Sequence, residues 1–285
     1  MIGAIIGDIA GSGTGSFTAN TVMFLATGKA LMECDHRYET LVDKVKEYSE
    51  TLMDAVYHEK AKDMPFSYIP CFLPVAYFAR SYMELRQLVF TIINAFTDAT
   101  LEDAYAAELE AAEVFRYLRF LSIKSFKKAF LPKRFTFRKE TGEYLSEIDQ
   151  AFNWSKSFAE AITNAKETSD PCNLATVVGA LAEPFHGVPV SFRDRALEVL
   201  GPELADLFVR IEESVHVGVS TYVPDDTKPS TNYYQAGRFS PSRWEYLKRC
   251  LGKPKDYYMK GPVTSSRDSR CLDLTKLRKQ EESND

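Results

Sequence analysis

The 285-residue chain has no Cys-x-x-Cys pair among its five cysteines (34, 71, 172, 250 and 271) and only four histidines, at 36, 58, 186 and 216. Thiols this dispersed, and odd in number, exclude a disulfide framework, and neither residue type is spaced to hold zinc. No apolar run reaches the roughly 18 residues of a membrane-spanning helix, and no basic stretch followed by an apolar one marks a cleavable leader. A GxxxxGK loop and a strand-borne GxGxxG are both missing, which removes phosphate-loop and dinucleotide-binding readings. These absences point to a cytoplasmic protein with no membrane partner.

What is present is ordinary for a globular chain: 45% apolar, 13% aromatic and 26% charged residues. That many aromatics exclude disorder throughout. The net charge of −5 hides an asymmetry. Residues 223–285 hold 13 Lys and Arg against 9 Asp and Glu, so residues 1–222 are left with 22 against 31. The expected organisation is an acidic folded body at 1–222 and a basic, aromatic-containing extension at 223–285.

Proline is missing from 1–64, 75–131 and 133–170, and long stretches are therefore free to be helical. Leu41, Val45, Tyr48, Leu52 and Val56 follow a helical period, as do Leu109, Ala112, Phe115, Leu118 and Leu121. Ala161 and Ala165, then Leu174 to Ala182, predict two helices broken near Ser169-Asp170-Pro171. Arg195 to Ile211 reads as helix interrupted at Gly201-Pro202. Alternating strands are missing, so the expected class is all-α, a compact multi-helix globule.

At the start of the chain Gly3, Gly7 and Gly11 recur every four residues and line one helix face for tight packing. This opening resembles the first helix of the ADP-ribosylglycohydrolase family. Phe17-Thr18-Ala19-Asn20-Thr21-Val22-Met23 looks like that family's FTDDTVM motif, and Ala161 to Gly187 looks like its GGDxDT motif with the helix that follows. Val188 to Glu212 is similar to its closing helices, and Tyr68 to Val75 sits where members carry GNGxxMRxxPV. The resemblance covers roughly residues 1–215. It implies an all-helical fold with two Mg²⁺ ions that hold the ribose of ADP-ribose while water attacks the glycosidic carbon.

The family-equivalent metal positions are Thr18, Ala19, Asn20, Asp170, Cys172 and Asn173. Ala19 and Asn20 replace two aspartates, Cys172 a third, and Asn173 a threonine. Four family carboxylates become one, and a neutral thiol is a poor Mg²⁺ ligand. The substrate-covering segment is reduced to Gly13-Thr14-Gly15-Ser16. No bound metal or other cofactor and no catalytic residue is therefore expected.

The surviving polar residues also have plain structural readings. Asp170 suits a helix N-cap before Pro171, Thr18 can cap the helix that Ala19 opens, and Asp8 can bond nearby backbone. Cys172 lies near a helix start, yet with no identified His partner it reads as inert. Basic-aromatic stretches at 122–139 and 243–260 read first as solvated helix faces. The expected function is an ADP-ribosylglycohydrolase-like protein that has lost Mg²⁺-dependent hydrolysis and acts by binding. The alternatives are an active hydrolase of ADP-ribosyl or related ribosyl bonds using other residues, and an interaction module built on the basic-aromatic segments. ADP-ribose or a related nucleotide is expected as a weak ligand, with a protein partner next and nucleic acid behind both.

Overall fold

The computed structural model describes residues 1–34, 37–57, 67–119, 137–215 and 222–223. The described residues are mostly helical, as the periodicity requires. In chain order the helices are α1 (Ile2–Gly11), α2 (Ala19–Cys34), α3 (Leu41–Tyr57), α4 (Tyr68–Phe72), α5 (Val75–Phe78) and α6 (Tyr82–Ile92). They continue as α7 (Leu101–Arg119), α8 (Lys139–Asn153), α9 (Phe158–Lys166), α10 (Pro171–His186) and α11 (Val190–Ser214). One short parallel pairing, Val188 with Tyr222 and Pro189 with Val223, is the only sheet among the described residues. Its second strand spans the expected 222/223 division. The remaining residues of the extension, with the basic-aromatic stretch at 243–260, lie outside the described residues, as does most of the stretch at 122–139.

The centre of the fold is the antiparallel pair α1 and α10. Glycine makes the close approach possible: a Cβ placed on Gly7 would lie 1.9 Å from the Ala175 carbonyl oxygen, and one on Gly11 would lie 2.2 Å from that of Pro171. Gly3 and Gly179 meet in the same way, each Cβ falling within 2.3 Å of the other's carbonyl oxygen. The glycine face expected from the sequence is thus the contact itself, and backbone packs on backbone. Residues Ile2 to Asp8 are all buried, and α2, α7, α8, α9 and α11 surround the pair. At its other end Glu183, fully buried on α10, accepts from the Met1 ammonium and from Gly3 N at 2.8 Å.

Local chemistry sets the remaining boundaries. Asp170 is the N-cap of α10 and Pro171 its first residue, with Asp170 Oδ1 accepting from Asn173 N at 3.4 Å. Pro184 does not stop this helix, which ends at Gly187 with φ +79. Gly201 (φ +75) breaks α11 ahead of Pro202, as expected. On α3, Leu41 and Val45 are buried while Tyr48, Leu52 and Val56 pack against the core. On α7, Ala112, Phe115 and Leu118 are buried, and Leu121 lies outside the described residues.

Candidate functional site

The antiparallel α1–α10 pair sets the C-terminal half of α1 beside the first turn of α10. The short turn at 12–18 then brings the start of α2 to the same point. Asp8, Thr18, Asn20, Asp170, Cys172 and Asn173 converge there, although as many as 164 positions separate two that touch.

Asp8 is the hub. It is fully buried, and Oδ2 accepts from Thr18 N (2.7 Å), Thr21 N (3.3 Å) and Thr21 Oγ1 (2.6 Å). Oδ1 accepts from Thr18 Oγ1 (2.5 Å) and from the Cys172 thiol (3.3 Å). One carboxylate on α1 therefore takes amides at the start of α2 that have no partner within the helix, where the helix dipole also favours negative charge. Thr18 adds its own cap, since Oγ1 accepts from Asn20 N at 3.2 Å. The plain readings of Asp8, Thr18 and Asp170 all describe contacts that the structure makes.

Beside this hub runs a chain of amides. Ser67 N donates to Asn20 Oδ1 at 3.0 Å, and Asn20 Nδ2 donates to Asn173 Oδ1 at 2.7 Å. Asn173 Nδ2 in turn donates to Asp170 Oδ2 at 2.6 Å. An asparagine offers both a donor and an acceptor, so two of them relay where carboxylates would repel. Asn20 Nδ2 also stands 3.6 Å from the Cys172 sulfur. Ala19, fully buried, belongs to the core and offers the site no polar atom.

Cys172 is partly buried, with its thiol donating to Asp8. Burial, joined by the Asp8 charge, pushes its thiol up to about 11, and the nearby Thr18 hydroxyl offsets this in part. The thiol stays protonated at neutral pH despite its position at a helix start. His186, the one described histidine, contacts Ser155 through Nε2 at 3.2 Å and packs against Phe152 and Phe185. No bond between it and Cys172 is formed.

Ser67 ends the segment that stands where the resemblance places the GNG turn, and it reaches the amides because α4 packs on α2. Two further contributors carried no sequence signal. Tyr144 brings a buried hydroxyl from α8; burial first, then the Asp170 and Glu110 carboxylates, raise its phenol. Glu110, fully buried on α7, acts on the same phenol. Among the described residues no group of three or more His, Cys, Asp and Glu stands together to hold a metal ion. The chain matches no protein-family model, no curated protein and no solved structure.

Proposed function

We propose that this is a degenerate ADP-ribosylglycohydrolase-like protein that acts by binding and does not carry out Mg²⁺-dependent hydrolysis. One observation carries the reading: the polar residues at the family-equivalent metal positions are bonded to one another or to Asp8. Two Mg²⁺ ions bring +4 and need several hard oxygen donors free to face them. Here both Asp8 oxygens already accept hydrogen bonds from protein donors, and Asp170 is committed to the first turn of its helix. An amide pair and a protonated thiol complete the set. These residues do not fit the ion pair, and no hydrolytic step is derived from them. The likeness of the four motifs, the all-helical body and the convergence of positions 18–20 with 170–173 support the family reading. The proposed ligand is ADP-ribose or a related nucleotide, held weakly.

The test restores the acids. Ala19→Asp, Asn20→Asp, Cys172→Asp and Asn173→Thr together should raise Mn²⁺ affinity over the native chain by about tenfold or more. Ala19 is buried, so a second variant carrying only Asn20→Asp and Cys172→Asp should move in the same direction. Calorimetric titration reads both. Folded variants with no more affinity than the native chain would show that the motifs are misplaced.

A further inference from the structure

On the far side of α1 from Asp8 lies a pocket of about 320 Å³, a volume that suits a small molecule. Successive helix positions turn by about 100°, so Ile6 and Ala10 face roughly opposite to Asp8 and Ile9 lies to the side between them. With Ala196 and Val199 of α11 they make an aliphatic floor. Phe192, 37% exposed, forms a wall and is held edge-on by the buried Phe158 ring at 6.1 Å.

The rim differs in character from the floor. Lys166, the last residue of α9, and Arg195 on α11 both line the opening. Among the described residues neither pairs with a carboxylate, and Asp194 and Glu212 of α11 are taken by Arg193. Two cations thus line one opening in a body whose residues 1–222 hold 22 basic against 31 acidic side chains. The lip is the turn at Gly13 and Gly15, with φ of +70 and +74, and no atom lies within 4 Å of where a Cβ would stand on either.

We propose that this pocket binds a phosphate monoester of an aromatic group. The ring lies on the aliphatic floor against Phe192, and the phosphate meets Lys166 and Arg195. A phosphate monoester carries about −1.5 to −2 at neutral pH, which matches two cations better than a carboxylate does. The basic segment 223–285, with 13 basic against 9 acidic residues, has the wrong charge to fill it. The site shares no residue with the Asp8 network, so it stands or falls independently of the reading proposed for that network.

Calorimetric titration of the full chain with 1-naphthyl phosphate tests this, with 1-naphthol, 1-naphthoate and inorganic phosphate run beside it. The ester should bind saturably, and naphthol and inorganic phosphate should each bind about tenfold or more weaker. Naphthoate should fall between. Arg195→Glu, at an exposed position, should weaken the ester by about tenfold, and Phe192→Ala by about fivefold. Equal binding of naphthol and its phosphate would overturn the proposal. So would an unchanged affinity in Arg195→Glu, or no saturable binding of the ester in a folded native chain.

Discussion

Gly7→Ala is expected to destabilise the protein by about 3 kcal/mol, at the upper end of what an added methyl costs in a packed interior. The added Cβ would stand 1.9 Å from the Ala175 oxygen and 2.5 Å from its carbon. Both atoms are backbone of a buried helix, so no side chain can rotate away, and α1 must separate from α10 along its length. That pair packs at the heart of the core, and the loss spreads to every helix around it. Gly142 is the internal reference. It lies exposed in α8 with nothing within 4 Å of a Cβ, so Gly142→Ala should stabilise by about 0.5–1 kcal/mol through helix propensity alone. Urea unfolding of the two variants beside the native chain reads the contrast. Similar midpoints for both would mean that the glycine face does not set the helix separation.

Asp8→Ala should cost about 4 kcal/mol, because it strands buried donors that the carboxylate now satisfies. Thr21 N and Oγ1 are buried and turn to Oδ2, and Thr18 N joins them. The start of α2 also loses the negative charge that its dipole favours. At this chain length the loss corresponds to a melting temperature lower by about 10 °C. Asp8→Asn should fall between, since one oxygen still accepts while its new NH₂ faces donors. A small shift in Asp8→Ala would remove the carboxylate from its place as hub of the network.

The mostly helical class was legible because proline-free stretches and the 3.6 period agreed at α3, α7 and α9, and the period alone marked α10 and α11. Glycines at 3, 7 and 11 announced the tightest contact, since a four-residue repeat of the smallest side chain has little other use on a buried helix. Legibility was poorer at the site. Positions 18–20 and 170–173 were chosen from motif likeness, and their proximity follows from α1 and α10 running antiparallel, which no local pattern encodes. Asp8 was visible only as a polar residue near a helix end. That it gathers five donors depends on the turn at 12–18 folding α2 back over it. Tyr144 and Glu110 were not found, because each belongs to an element whose own pattern shows only an amphipathic or mixed face, and Ser67 was visible only as the end of the segment standing for the GNG turn. The tertiary fold alone brings them to the amides.

If the chain has lost the dinuclear metal site of the family it resembles in motif, calorimetric titration of the native chain with Mg²⁺, in the presence and absence of ADP-ribose, will read it. No saturable Mg²⁺ site should be seen at millimolar concentration, and any heat from ADP-ribose should be the same with and without the ion. Two ions bound per chain, or ADP-ribose affinity that rises with Mg²⁺, would contradict the account.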